Sequence, residues 1–120
     1  MRLEIKNIYS PDIDECPNDP HNFAVLITVD IGEKDKDRAE TFYFVAVSPS
    51  KLQAEANGAH GFRFLRGHIL MNEFDWSTIH RAIENLVNHA QSRSNWHEVI
   101  SFFNRYGTSS SEDLDSRHYP

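Results

Sequence analysis

A chain of 120 residues is the size of one domain and buries roughly two thirds of the surface its unfolded form exposes, so it needs no disulfide or metal to hold it. Its 39% apolar and 25% charged residues are ordinary for a globular protein. No stretch approaches the ~20 apolar residues of a membrane span. The formal charge of −6 is uneven: residues 1–57 hold 11 acids against 6 bases, residues 58–106 hold 4 against 5, and the last fourteen hold 3 against 1. This argues against the basic face of a DNA or RNA binder; it suits either simple solubility or a basic protein partner steered toward the acidic half.

"MRLEIKNIY" alternates apolar and charged residues, which predicts a half-exposed strand to Tyr9 rather than a signal peptide or anchor. Pro11 ends it. In "NFAVLITVDI", Phe23, Val25, Ile27, Val29 and Ile31 recur at period two and give one buried face. After the polar loop "GEKDKDRA", the stretch "ETFYFVAV" is the return strand of an antiparallel hairpin. In the usual alternation, Leu26, Phe42 and Phe44 fall on the opposite face. Either a short helix over 50–56 covers them, or they form an apolar patch for a partner or a second copy of the chain.

That short helix is predicted from "SPSKLQAEA", with Ser48 or Ser50 as N-cap and Pro49 in the first turn. "RGHILMNEF" reads as a fourth strand over 66–74. Asp75 then caps a helix over 76–91, in which Trp76, Ile79, Ala82, Ile83, Leu86, Val87 and Ala90 fall at helical spacing, with Phe74 and Ile79 as a hydrophobic staple. A second helix opens at Asn95, buries Trp96, Val99, Phe102, Phe103 and Tyr106, and stops at Gly107. Strands followed by helices predict an α+β fold: an antiparallel sheet of about four strands with two C-terminal helices packed on one face. Residues 1–106 make this single domain, and 107–120 form a polar, flexible tail.

Searches for chemistry mostly fail. "IYSPDIDECPNDP", Ile8 to Pro20, holds four carboxylates (Asp12, Asp14, Glu15, Asp19), three prolines and the lone cysteine, without a base. Begun at Asp12, a calcium loop of EF-hand type needs glycine at its sixth residue and glutamate at its twelfth, and meets Pro17 and Phe23 instead. Nothing in so polar a stretch promises the burial that separates a catalytic acid from its partner. It reads as an acidic loop stiffened by Pro11, Pro17 and Pro20. The seven histidines, His21, His60, His68, His80, His89, His97 and His118, show no metal-ligand spacing. Cys16 has no disulfide partner in the chain and lies among carboxylates that blunt a nucleophile. The glycines of "NGAHGFRFLRG" match no phosphate-binding fingerprint and read as a turn. The expectation is a cytoplasmic protein with no catalysis, metal or cofactor.

The order of "IKNIYSPDID", "NFAVLITVDIGEK", "ETFYFVAVSPSKL", "GHILMNEFDWSTI" and "NWHEVISFFNRYG" resembles the immunity protein 8 family of bacterial polymorphic toxin systems. Its most specific pieces are Tyr9-Ser10-Pro11-Asp12, Ile31-Gly32, and Trp96 ahead of Gly107. The resemblance implies an inhibitor that stays in the producing cell and binds a cognate toxin domain to silence it. Two departures stand out: "TSSSEDLD" follows the final glycine where the family often carries aromatics, and the region of Ser50-Lys51 lacks an expected aromatic. Because they form a base-free acidic cluster stiffened by prolines, Asp12, Asp14, Glu15 and Asp19 are the expected contacts with a basic toxin. Phe42 and Phe44 are the contacts of the alternative, a non-catalytic regulatory or structural module that homodimerises through the sheet.

Overall fold

The computed structural model describes residues 1–58 and 60–110. Its elements run β1 (Leu3–Tyr9), β2 (Ala24–Glu33), β3 (Ala39–Val47), α1 (Pro49–Gly58), β4 (His68–Leu70), α2 (Trp76–Ala90), α3 (Trp96–Phe103) and β5 (Thr108–Ser109). The sheet order is β1-β2-β3-β4, with β5 also paired to β3. The fold is α+β, and its sheet is antiparallel except where β4 runs parallel to β3. That parallel pairing follows from the connection: α1 and the loop after it return the chain to the same end of the sheet before β4 begins. The fourth strand is three residues long, shorter than the periodicity suggests.

Register decides what the core contains. Ile27 pairs with Phe44 and Val29 with Phe42, so both phenylalanines share the face of the Val25–Ile31 row. Phe42 is 0% and Phe44 2% exposed. Their expected place on the opposite face is therefore corrected, and with it their availability as partner contacts. The five-residue loop Lys34–Arg38, with Asp35 in the left-handed region at φ 65°, sets a register one residue away from the assumed one, and one residue reverses every side chain. Nor does α1 cover them, because none of its residues is buried. The helices α2 and α3 do: Ile79, Ile83, Val87, Val99 and Phe103 join the sheet residues in one cluster, and the Phe42 and Phe103 rings lie 4.7 Å apart. Burying a side chain of that size contributes about 1.5–3 kcal/mol.

Local signals fix the helices as the sequence predicts. The Asp75 carboxylate accepts the Ser77 N–H and the Thr78 hydroxyl. Asn95 accepts the Glu98 N–H at 3.0 Å, and the Glu98 carboxylate reaches back to the Ser94 N–H at 2.8 Å. At the end of α2, the Gln91 amide pairs with both backbone groups of Leu3, at 2.7 and 2.8 Å, and ties the helix to β1 like a strand partner. Trp76 and Trp96 are half-buried at the margin of the core rather than within it, and Tyr106 is exposed.

The helix α3 ends at Phe103 with Asn104 as its C-cap, ahead of the expected stop at Gly107, and Gly107 follows the turn without a left-handed conformation. Its N–H donates to the Phe103 carbonyl at 2.8 Å, and its missing side chain lets the backbone pass against the Phe44 ring. Thr108 and Ser109 then pair with Tyr43 and Phe42, so the chain returns to the sheet as β5. Residues 111–120, the rest of the expected tail, lie outside the described residues.

Candidate functional site

The acidic stretch between β1 and β2 is an anchored loop. Asp12 donates its N–H to the Ser10 hydroxyl and accepts the Leu26 N–H of β2 on its carboxylate, at 3.1 Å each. Ile13 turns inward and packs against the core. The Glu15 carbonyl accepts the indole N–H of Trp76 at 2.7 Å. Asp19 accepts the His21 N–H on its side chain and the Asn22 N–H on its carbonyl, which closes the last turn. Pro20 then accepts the Phe74 N–H at 2.8 Å. Four points of attachment, to β2, the core, the first residue of α2 and Phe74 just before it, hold a segment that has no regular structure of its own.

All four carboxylates of the loop are exposed. Those of Asp14 and Glu15 make no ion pair or hydrogen bond among the described residues, whereas Asp12 and Asp19 are engaged by backbone N–H groups. The loop borders an open concave surface that also takes in Cys16, Asn22 and Lys51. Lys51 is the one base there. It comes from α1, whose start is tied to the end of the loop: Ser48 is the N-cap and accepts the Phe23 N–H, while Ser50 donates to the His21 carbonyl. The structure thus brings Asp12, Asp14, Glu15 and Asp19 together on one surface and places Phe42 and Phe44 inside the protein.

A second exposed feature went unread in the sequence. Phe62, Phe64 and Leu65 are 60%, 73% and 46% exposed in the loop before β4, and their arginine neighbour Arg63 pairs with Glu55 at 3.5 Å. Alternation of aromatic and arginine residues in "GFRFLRG" was the available signal, because residues of that kind dominate the energetic centres of interfaces. Among the described residues, no group of three or more His, Cys, Asp or Glu side chains is placed to hold a metal ion.

A match over most of the chain decides the family: the model of immunity protein 8 covers residues 3–113. The chain belongs to the immunity protein 8 family. No curated protein and no solved structure matches it. No helix among the described residues is long and apolar enough to cross a membrane.

Proposed function

We propose that this immunity protein neutralises a cognate secreted toxin domain in the cytoplasm of the producing cell, acting as a binding protein and not as a catalyst. One observation carries the choice of surface: the acidic loop is held in place before any partner arrives, with the Asp14 and Glu15 carboxylates exposed and unpaired among the described residues. A pre-ordered contact loses little conformational entropy on binding. Unpaired exposed carboxylates steer a basic partner without first breaking internal ion pairs. Inhibition then needs only that about 800 Å² of this surface cover the toxin's active site or a region beside it. The homodimer alternative through Phe42 and Phe44 is set aside, since both rings lie in the core.

The test is co-expression with the C-terminal domain of the toxin encoded beside this chain, in a sensitive host. Restored growth and a complex that co-elutes on a sizing column are expected. Persistent growth arrest with both proteins soluble would sink the proposal.

A further inference from the structure

A separate set of residues, sharing none with the acidic surface, lines a cleft of about 230 Å³ along α3. His97, Ser101 and Arg105 recur every fourth residue and so lie on one side of the helix and the turn after it, and Arg93 joins them from the turn before. In a chain of net charge −6, this is a concentration of donors. The side chains of Arg93, His97 and Arg105 have no hydrogen bond or ion pair among the described residues. Glu98 is the one acid of the lining; its carboxylate is engaged by the Ser94 N–H and bridges to neither arginine.

Arg93 is the informative member. Its guanidinium carbon lies 5.1 Å from the centre of the Phe102 ring, a cation–π contact. Its Nε is buried and is the single buried side-chain polar atom among the described residues without a partner. A charged donor held out of water without an acceptor is destabilising, and native structures seldom leave one so. An oxyanion in the cleft would bring an acceptor to the same guanidinium.

We infer that the Arg93–His97–Ser101–Arg105 cleft binds a phosphate-class oxyanion. Arginine remains charged at any relevant pH and matches phosphate oxygens with paired N–H groups. Donors arriving from two arginines, an imidazole and a hydroxyl exceed what the two oxygens of a carboxylate take, whereas a tetrahedral ion accepts from several directions. The volume holds such an ion together with several waters, each taking about 30 Å³.

The experiment titrates the full chain with inorganic phosphate, with chloride and acetate at matched ionic strength as comparisons, and follows thermal melting and backbone amide shifts. A saturable rise in melting temperature is expected with phosphate alone, as mass action requires. The amides of His97, Ser101 and Arg105 should move, and those of Asp14 to Asp19 should not. Arg105 is exposed, so Arg105→Gln should melt within a few degrees of the parent while weakening phosphate binding about tenfold or more. Arg93→Lys keeps the charge but loses the fork, and should weaken it as well. Equal protection by acetate would overturn the assignment. So would unaltered affinity in Arg105→Gln, or a rise that never saturates, which is the general salt effect of phosphate. No toxin is present in this assay, so its failure leaves the proposed immunity function standing.

Discussion

The indole nitrogen of Trp76 donates to the Glu15 carbonyl at 2.7 Å, and this bond ties the acidic loop to the first turn of α2. The same ring meets Phe74 edge-on at 5.4 Å, and Phe74 meets Phe23 at 5.4 Å just ahead of β2. An aromatic chain thus connects the loop to the sheet. Because Trp76 is half-buried, Trp76→Ala is expected to cost about 2–3 kcal/mol, below the usual loss for a large aromatic taken from a core. Trp76→Phe retains most of the ring contact and removes the donor. It should cost about 1 kcal/mol and speed amide exchange over residues 13–16 while the core helices stay protected. Urea denaturation and hydrogen exchange measure the two effects. Unaltered exchange in the loop would mean that this bond does not hold it.

Gly107 has a packing role that a substitution exposes. A β-carbon there would lie 2.7 and 2.8 Å from two atoms of the Phe44 ring and 2.9 Å from the Tyr43 carbonyl oxygen. Phe44 is enclosed and cannot move aside. Gly107→Ala is expected to destabilise by about 1–3 kcal/mol, as overpacking does. At Gly58 a β-carbon would meet nothing within 4 Å, and Gly58→Ala at the end of α1 should be neutral or stabilising by up to about 1 kcal/mol. Thermal melts of the two variants should move in opposite directions or differ by several degrees. Equal melting would refute the close approach of Gly107 to Phe44.

What was legible in the sequence was whatever is decided locally. Asp75 and Asn95 cap helices because a carboxylate or amide two or three residues from its target needs no distant partner, and the apolar spacing of Ile79, Ile83 and Val87 survives into the core. The hairpin was legible and its facing was not, because Phe42 and Phe44 owe their burial to the conformation of one five-residue loop. The parallel pairing of β4 and the two-residue β5 depend on where α1 and α3 return the chain, and neither carries a periodic signal. The charges of the acidic loop were plain. Its attachments to Leu26 and Trp76 were not, since they join residues 14 and 61 positions apart.

Acid should act on α2 through its cap. The hydrogen bond from the Thr78 hydroxyl, then those from the Ser77 and Thr78 backbone, hold the Asp75 carboxyl below its ordinary value of 3.8 against a smaller opposing effect of desolvation. A depressed folded-state value means that the cap's contribution is present above the ordinary value and is lost as pH falls through the lowered one. Asp75→Asn keeps an acceptor that does not titrate. Its deficit relative to the parent should therefore be greatest above pH 4 and narrow as acid is added, read by chemical denaturation across pH 2.5–6 (about one unit either side of a carboxylate's usual range). A deficit that stays constant over that window would contradict the cap's dependence on charge.

The acidic loop contains two kinds of carboxylate, and removing each kind should have a different consequence. Asp12 serves the fold: its side chain accepts the Leu26 N–H at 3.1 Å, so Asp12→Ala should lower stability by about 1 kcal/mol, an exposed hydrogen bond being worth little more. Asp12→Asn retains an acceptor and should fall between that variant and the parent. Asp14 and Glu15 have exposed carboxylates without a partner among the described residues, so Asp14→Asn with Glu15→Gln should leave the melting temperature within a few degrees. The paired change should instead slow association with a basic toxin domain. The slowing should be largest at low salt and fade toward 1 M, where the screening length falls from about 8 Å at physiological ionic strength to about 3 Å. Stopped-flow association at several ionic strengths, beside thermal melts of each variant, separates the two roles. If the paired change leaves the rate untouched at every salt concentration, the loop is a solvated connector and the toxin is met elsewhere, with the exposed Phe62–Leu65 loop the next surface to substitute.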